Sequence, residues 1–418
     1  MAEAFIIDAV RTPRATSKPD KGAYIGVHPQ HLAATVMRAL HERNGFDTKH
    51  VDDVIWGTSA QKGTQAGDMG RMAALDAGYD PVVSGVTLDR FCGSGLTAVN
   101  FAAGQLMSGM EDLIVAGGTE MMSVVTEVGM KEREAGLGGN GLLGTGNLSL
   151  LKKYPQSNQG LAADTIATMQ GITREDLDAF GVESQRRAAI AIENGYFNKS
   201  LIPVYDQEGV LLLDKEQYPR PGTTLDDLAK LTPSFLKLAD MPLDKHGTTF
   251  RKLINLVYPD VDIQCYHHAG TSSGVVDGAA ALLLASGGYV ARHGLKPRAK
   301  VIAMANMGDC PTLMLNAPVP AAQKVLAKAG LTKDDIDLWE VNEAFAVVVE
   351  KFIRDLDIDR DKINVNGGAI ALGHPIGATG AVLIGTVLDE LERRGLKRGL
   401  ITMCAAGGMA PAIIIERV

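Results

Sequence analysis

Cys92 is the residue of this sequence best placed for covalent chemistry. It lies in LDRFCGSGLTAV, at the end of a predicted strand and directly before a predicted helix. The dipole and free N–H groups at a helix N-terminus stabilise a thiolate, so this position predicts a lowered thiol pKa and a nucleophile. The small residues at 93–95 would let an acyl carbonyl approach the backbone, where N–H groups could form an oxyanion hole. The alternative interpretation is a buried structural cysteine.

A histidine and a second cysteine lie at similar strand ends. His374 lies in the turn of GGAIALGHPIGATG, where an imidazole with the ordinary pKa of about 6.5 could accept the proton of a thiol. Cys404 lies in TMCAAGGMA, so one thiol could attack while the other moves a proton at carbon. The alternatives are a turn histidine that only hydrogen-bonds to backbone and a disulfide between Cys92 and Cys404.

Asn342 is a fourth polar residue at such a junction. In VNEAFAVVVE it closes a predicted strand and opens a predicted helix. Its side chain therefore either works in the site or serves only as a helix N-cap.

The elements that must position these residues alternate between strands and helices. The short β-rich runs are 4–10, 51–57, 84–90 and 112–118, and later 298–305, 336–343, 362–368 and 399–408. The helical patterns cover 31–42 and 321–329 and begin also at 96, 344 and 380. This rhythm predicts an α/β fold, built on a mostly parallel sheet that helices cover.

The two sets of elements predict an internal duplication. The dipeptide Val-Asp at 51–52 aligns with Ile-Asp at 336–337, a shift of 285 residues (336 minus 51), and Gly95 aligns with Gly380 at the same shift. Agreement in two separate places, with a shared order of elements, favours a repeat over chance. A two-fold repeat would bring the strand ends that carry the reactive residues to one common face.

The rhythm breaks down between residues 121 and 275. This stretch holds a glycine-rich run at 136–147, a helical pattern over 175–194 and proline-rich turns around 219–242. A long insertion of this kind usually forms a lid or a binding lobe. The predicted division of the chain is 1–120 with 276–296 for the first half, 121–275 for the lobe and 297–418 for the second half.

Composition and charge exclude several classes of protein. The chain has 418 residues, 46% of them hydrophobic and 22% charged, which is the profile of a globular protein rather than a disordered one. Its net charge of −8 provides no basic field for nucleic acid or an anionic membrane. No apolar run approaches the roughly 20 residues that span a bilayer. Four cysteines without a C-x-x-C pair make no disulfide framework, and the N-terminus is interpreted as the first strand, so we expect a cytoplasmic location.

In these motifs and in their order, the chain resembles the thiolases, the acyl-CoA:acetyl-CoA C-acyltransferases. The matching motifs cover nearly the whole chain: RTP at 11–13, C-x-S-G from Cys92, AGGTEMMS at 116–123, SSGVVDGAAA at 272–281, NEAFA at 342–346, NxxGGAIALGHPxGATG at 364–380 and the run from Cys404. The CAAGG run at the second cysteine is similar to that of β-subunits of fatty-acid oxidation complexes. The resemblance implies the thiolase fold, with duplicated βαβαβαββ-type halves in a layered α/β/α/β/α core and an inserted coenzyme A-binding lobe.

The resemblance also implies a role for each reactive residue. Cys92 would take the acyl group, His374 would activate Cys92, and Cys404 would move the proton at C2 of the acetyl-CoA unit. Asn342 would hold a water that, with His374, stabilises the enolate oxygen. Backbone N–H groups of Cys92 and Ala406 would form a second oxyanion hole.

Two further residues are implied to contact coenzyme A. Ser273, in the SSG run, is similar to the family position at the pantetheine arm, and Arg220, in RPGTT, resembles a lobe position near the nucleotide end. Arg220 could equally be a solvated surface charge.

The chain departs from the usual family pattern at several positions. Asp89 replaces a common Asn, Ala406 a common Gly and Thr271 another Asn, while Asn-Gln-Gly at 158–160 stands where short-chain members have His-Met-Gly. These departures leave the acyl chain length open and weaken the case for an acetoacetyl-specific enzyme.

The implied reaction is the reversible cleavage of a 3-oxoacyl-CoA by coenzyme A, through an acyl-enzyme on Cys92, in fatty-acid β-oxidation. The alternatives are a biosynthetic acetoacetyl-CoA thiolase, a condensing enzyme with a non-CoA acceptor and a non-catalytic thiolase-like subunit. Coenzyme A and acyl-CoA are expected as substrates, with no metal and no permanently bound cofactor. A homodimer or homotetramer is implied, with assembly onto a hydratase/dehydrogenase α-subunit as a further option.

Two weaker patterns are interpreted as structural. Cys265, His267 and His268 lack a second cluster at metal-ligand spacing, so a pocket wall is favoured over a zinc site. The glycine-rich run at 136–147 does not open a strand-to-helix unit, so dinucleotide binding is not predicted.

Overall fold

The computed structural model describes residues 3–135 and 147–418, so nearly all of the glycine-rich run lies outside the described residues. The strands are β1 (Ala4–Arg11), β2 (Ala15–Thr16), β3 (Asp53–Gly57), β4 (Val86–Leu88), β5 (Leu113–Met121), β6 (Val204–Tyr205), β7 (Leu211–Leu213), β8 (Val276–Ser286), β9 (Ala299–Gly308), β10 (Leu338–Val341), β11 (Arg398–Thr402) and β12 (Met409–Arg417). Ten of them form one sheet in the order β10-β11-β12-β9-β1-β8-β5-β3-β4, with β2 paired to β8, and β6 and β7 form a separate pair.

The helices cover this sheet and build the lobe. They are α1 (Pro29–Asn44), α2 (Met69–Asp76), α3 (Ser94–Ser108), α4 (Met122–Glu134), α5 (Leu148–Lys153), α6 (Gln159–Gln170), α7 (Arg174–Glu193), α8 (Leu225–Ala229), α9 (Leu236–Ala239), α10 (Phe250–Asn255), α11 (Gly287–His293), α12 (Pro318–Ala329), α13 (Ala346–Leu356), α14 (Ala369–Leu372) and α15 (Thr379–Arg394). In the part of the chain that the structure describes, none of these helices is long and apolar enough to cross a bilayer.

The sheet is mixed, so the prediction of a mostly parallel sheet is wrong. β3 pairs in parallel with β4 and β5, and β10 pairs in parallel with β11. β8 and β12, however, run antiparallel to all their neighbours. β12 follows β11 through a tight turn instead of a crossover helix, and a tight turn can join only antiparallel strands.

The core has five layers. Two residue pairs, Phe5 with Lys300 and Ile6 with Ala299, join β1 to β9 and connect the two portions of the sheet. α3 and α15 contact strands of both portions, whereas α1 lies against one portion and α12 against the other. Three large buried apolar clusters separate these layers. The predicted duplicated α/β/α/β/α core is therefore confirmed.

The two halves repeat down to individual hydrogen bonds. Asp52 Oδ2 accepts from the backbone N–H groups of residues 112 and 113, at 2.8 and 2.9 Å. Asp337 Oδ2 accepts from those of residues 397 and 398, both at 2.8 Å. Donors and acceptors are each 285 residues apart, and the same shift relates the starts of α3 and α15. The three-part division of the chain at residues 120, 275 and 296 stays a prediction.

The predicted strand at 362–368 is wrong. Ile363 makes only an isolated bridge to Trp339, because Asn364 and Gly367 take φ angles of 48° and 74° that turn the chain. The Asn364 side chain replaces the missing strand pairing: Oδ1 accepts from Val341 N at 2.9 Å and Nδ2 donates to Val341 O at 2.8 Å. This segment leads directly into the turn that carries His374.

α3 and α15 meet at their N-terminal ends with almost no side chain between them. A Cβ on Gly380 would lie 2.1 Å from Leu96 N, and a Cβ on Gly95 would lie 2.6 Å from Gly377 O. Only glycine permits such an approach of two backbones. The junction therefore holds the two helix starts, and the turns that precede them, side by side.

Gly380→Ala should lower the free energy of unfolding by about 1–3 kcal/mol or prevent folding, because two backbones would have to separate. Gly104, also inside a helix, has no atom within 4 Å of an added Cβ and provides the control. Gly104→Ala should leave stability unchanged or raise it by up to about 1 kcal/mol. Urea denaturation of both variants measures the difference, and equal stabilities would contradict the close approach.

Candidate active site

Cys92 lies in a tight turn between β4 and α3. Phe91 takes a φ of 49°, which is rare for a residue other than glycine. Ser94 Oγ closes the turn, since it accepts from Arg90 N at 2.8 Å and donates to Phe91 O at 2.7 Å. The turn places Cys92 directly before the first turn of α3, where the sequence predicts it.

The Cys92 thiol is buried, and burial raises its pKa to about 12. The backbone N–H groups of Cys92 and Ala406 oppose this rise, because both favour the charged form of the sulfur, while the carboxylate of Glu120 adds to it. The predicted lowering of this pKa is therefore wrong: loss of hydration outweighs the helix terminus. The thiol is neutral at rest, and two N–H donors already face its sulfur.

His374 is buried beside the start of α15, and Thr379 holds its ring. Nδ1 lies 2.6 Å from Thr379 Oγ1, whose own proton is donated to Pro375 O at 2.9 Å. Nδ1 therefore carries the ring proton, and Nε2 has the lone pair that can accept a second one. Burial, and then the charge of Arg14, lowers the pKa of His374 to about 4. The imidazole is a neutral base at neutral pH.

Asn342 follows β10 and faces His374. Its Nδ2 lies 3.4 Å from His374 Nε2, and its Oδ1 is buried without a hydrogen-bond partner. A buried oxygen without a partner costs free energy, so this position suits a polar group or a water that donates to it. The N-cap interpretation is wrong, because α13 begins at Ala346 with Phe345 at its N-cap.

Cys404 follows β11 and lies close to Cys92. Burial raises its pKa, and a charge on Cys92 would raise it further. Both cysteines are free thiols, so no disulfide joins them. The sharp turn after Cys404 uses Gly407 and Gly408, at φ of 78° and 81°. Ala406 has no positive φ, so alanine suits its position and its N–H still points to Cys92.

Tyr218 lies between Arg220 and Gly274, the residue that follows Ser273. Ser273 is half-buried, and its N–H donates to Ala344 O at 3.0 Å. The ring of Tyr218 packs so closely on Gly274 that a Cβ there would lie 2.2 Å from it. The guanidinium of Arg220 lies 5.7 Å from the centre of the same ring. Arg220 is exposed and lines a cleft of about 330 Å³ that also includes Tyr218.

The two histidines of the HHAG segment are held by carboxylates. His267 Nδ1 lies 2.7 Å from Asp164 Oδ1, and His268 Nε2 lies 2.8 Å from Asp178 Oδ1. Within residues 3–135 and 147–418, no group of three metal-ligating side chains comes together.

Sequence reasoning missed two residues that set the state of His374. Thr379 lies only five residues further along, but the turn between them had to be known before their contact could be predicted. Arg14 acts from the opposite end of the chain, and no local pattern connects it to residue 374.

The chemistry that this arrangement permits is proton transfer coupled to attack on a carbonyl. A neutral thiol is a weak nucleophile, so Cys92 must lose its proton as it attacks, and His374 Nε2 has a lone pair to receive it. The two N–H groups near the Cys92 sulfur would stabilise the negative charge that forms on the oxygen of the attacked carbonyl. Cys404 supplies a second proton carrier beside the first thiol.

Two family models match most of the chain. They are described as "Thiolase, N-terminal domain", over residues 4–240, and "Thiolase, C-terminal domain", over residues 295–417. Of the curated relatives, a beta-ketoadipyl-CoA thiolase from Pseudomonas aeruginosa is 39% identical, over all of this chain and 99% of the relative. A steroid 3-ketoacyl-CoA thiolase from Mycobacterium tuberculosis is also 39% identical, over 100% of this chain and 95% of the relative.

A solved structure shares the fold. The crystal structure of the Bacillus anthracis acetyl-CoA acetyltransferase superposes with a TM-score of 0.82 at 32% sequence identity, covering 100% of this chain and 99% of that one. These matches cover both halves and the segment between them. The chain belongs to the thiolase family, and it is an acyltransferase.

Proposed function

We propose that this protein is a 3-ketoacyl-CoA thiolase, which cleaves a 3-oxoacyl-CoA with coenzyme A to give acetyl-CoA and an acyl-CoA shortened by two carbons. The observation that best supports the proposal is the set of groups at the Cys92 sulfur: two backbone N–H donors and the second thiol, Cys404. The neutral imidazole of His374, whose Nε2 is unprotonated, lies at the same helix junction. Cleavage by a thiol through an acyl-enzyme requires each of these groups.

In the first half-reaction, Cys92 Sγ attacks C3 of the 3-oxoacyl-CoA while its proton passes to His374 Nε2. The negative charge on the C3 oxygen is stabilised by the N–H groups of Cys92 and Ala406. Collapse of this intermediate breaks the bond between C2 and C3 and leaves an acyl thioester on Cys92. The electron pair goes to the enolate of acetyl-CoA, whose oxygen faces His374 and a water on Asn342.

Protons balance over the complete cycle. Cys404 gives its proton to C2 of the enolate and is left as a thiolate, and acetyl-CoA departs. Coenzyme A then passes its thiol proton to Cys404 and attacks the thioester carbonyl. The released Cys92 thiolate recovers its proton from His374, which restores all three neutral groups.

The acyl group and the pathway are open to direct measurement. Fatty-acid β-oxidation is the prediction from the resemblance, while the names of the relatives refer to a beta-ketoadipyl and a steroid acyl group. The name of the structural neighbour, an acetyl-CoA acetyltransferase, refers to acetyl-CoA, which fits the acetoacetyl-CoA thiolase alternative. Rates of acetyl-CoA release from straight-chain, ω-carboxylated and polycyclic 3-oxoacyl-CoA esters, and from acetoacetyl-CoA, would distinguish these substrates. Light scattering would test the homodimer or homotetramer, and co-purification the complex with an α-subunit.

The two thiols should fail in different ways. Cys92→Ser should form no acetyl-enzyme with acetyl-CoA, whereas Cys404→Ala should still acetylate Cys92, since it lacks only the proton carrier for C2. Both variants should lose thiolysis by on the order of 10³-fold or more. Intact-protein mass spectrometry, followed by digestion, locates the acetyl group.

Half-buried Cys310 gives the control: Cys310→Ser should acetylate and turn over normally. Thiolysis that survives in Cys92→Ser would contradict the proposal.

The fall of kcat/KM on the acidic side should occur at an unusually low pH. His374 can accept a proton only while it is neutral, and its pKa is lowered to about 4. Since kcat/KM reports groups of the free enzyme, it should fall only below about pH 5. Circular dichroism at each pH is the control, because a histidine buried in its neutral form costs folding stability as pH falls below about 6.5. A midpoint near 6.5 in folded protein would show that His374 is not the base or is not desolvated.

A further inference from the structure

Two buried carboxylates hold the segment that carries His374, and neither has a place in the mechanism above. Glu343 follows Asn342 in the chain, and Glu120 lies near the end of β5. Each is only 1% exposed. Moving a carboxylate out of water costs free energy unless several hydrogen-bond donors of the protein replace the water. The donors to each carboxylate therefore show which segments that carboxylate holds together.

Glu343 connects three segments. Its Oε2 accepts from Ser184 Oγ at 2.7 Å and from Ile370 N at 3.1 Å, and its Oε1 accepts from Asn364 Nδ2 at 3.0 Å. Gly368 packs against it, since a Cβ there would lie 2.3 Å from the carboxylate carbon. Glu343 therefore ties the end of β10 to the His374 segment and, through α7, to the lobe.

Glu120 holds the same segment from the other half of the molecule. Its Oε2 accepts from Gly377 N and from Ser59 N, both at 2.9 Å. Its Oε1 accepts from Ala60 N at 3.1 Å and from Gln65 Nε2 at 3.0 Å. The Glu120 side chain thus accepts four hydrogen bonds, three from residues of the first half and one from the turn after His374. It therefore joins the first half to this turn.

The two anchors bracket His374. Glu343 binds the N–H four residues before it, and Glu120 binds the N–H three residues after it. Between these points, the His374 N–H donates to Gly274 O at 2.8 Å. The imidazole is therefore fixed relative to both halves of the repeat, although only one half contains it.

We propose that Glu343 and Glu120 are positioning residues, which fix His374 Nε2 relative to Cys92, whose proton it receives, and to Asn342, which faces it across the site. The inference depends on the proposed thiolase function. Neither carboxylate touches the reacting atoms in the mechanism, so each positions His374 from outside the reacting groups. Glu120 also acts on Cys92 at a distance, since its charge raises the pKa of that thiol. Misplacement of a catalytic group by about 1 Å can cost on the order of 100-fold in rate.

Glutamine substitutions test the proposal with little change in shape. Glu343→Gln and Glu120→Gln each replace one accepting oxygen with an NH2 group, so that a donor faces one donor or more at Glu343 and two donors at Glu120. We expect kcat for thiolysis and the single-turnover rate of Cys92 acetylation to fall by on the order of 10- to 100-fold. In Glu120→Gln, KM for coenzyme A should change little, because neither Glu120 nor any of its four donors lines the Arg220 cleft.

Glu350 is the matched control. It is also a buried carboxylate, 2% exposed, and both it and Glu343 line a cleft of about 440 Å³ between α7 and α13. Its partners, however, are Arg354 and Arg360 on the outer side of the core. Glu350→Gln should lose thermal stability but keep kcat and the acetylation rate.

Ser184→Ala is a milder variant, in case a glutamine variant fails to fold. It keeps the Glu343 carboxylate and removes one donor, and it should slow acetylation by about threefold, a loss the size of one weakened hydrogen bond. The positioning role would be overturned if every folded variant of Glu343, Glu120 and Ser184 had the same kcat and acetylation rate as Glu350→Gln. A wild-type protein that cleaves no 3-oxoacyl-CoA ester would instead overturn the proposed function, so the two failures are distinguishable.

Discussion

The backbone contact between the starts of α3 and α15 is the constraint on which the rest of the structure depends. Each helix belongs to one half of a repeat, and neither half holds all the reactive groups: Cys92 precedes one helix, His374 the other. Side chains at Gly95 or Gly380 would push the helices apart. Glycine at both positions therefore lets the two halves of the duplicated fold bring their reactive residues into one site.

Burial at this junction determines the charge state of the site. The pKa of Cys92 rises and that of His374 falls, so the resting pair is a thiol and an imidazole instead of a thiolate and an imidazolium. An ion pair in these buried surroundings would cost more free energy than the helix terminus returns. The charge appears only when a bound carbonyl is attacked, at the place where N–H groups are already oriented.

Local sequence patterns predicted the parts of this architecture that depend on local chemistry. Residue types and spacing alone predicted the glycines after Cys92 and the junction at His374, because the residues that form a turn are neighbours in the chain. The 285-residue register could be predicted because the two halves share an order of elements and matching residues. The mixed sheet, the loop at 362–368 and the directions of the pKa shifts could not. Each depends on which distant segments cover a residue, as Arg14 shows for His374.

The same limit applies to Glu343 and Glu120. Both lie within recognisable motifs, NEAFA and AGGTEMMS, yet the donors that explain them come from as far as 257 residues away, in the case of Gly377. A carboxylate in a strand end looks like a surface or catalytic residue in sequence. Only the folded chain reveals that its oxygens accept hydrogen bonds from the backbone and side chains of distant segments.

The neutral resting state of Cys92 also bears on chemical damage. Peroxides and most electrophiles react with the thiolate form of cysteine, and susceptibility follows thiolate character and exposure. A thiol that is 6% exposed and protonated at every physiological pH offers them neither. Desolvation keeps the Cys92 thiol protonated, and therefore weakly nucleophilic, until a substrate binds. The same desolvation thus also protects the sulfur from oxidants and electrophiles in the free enzyme.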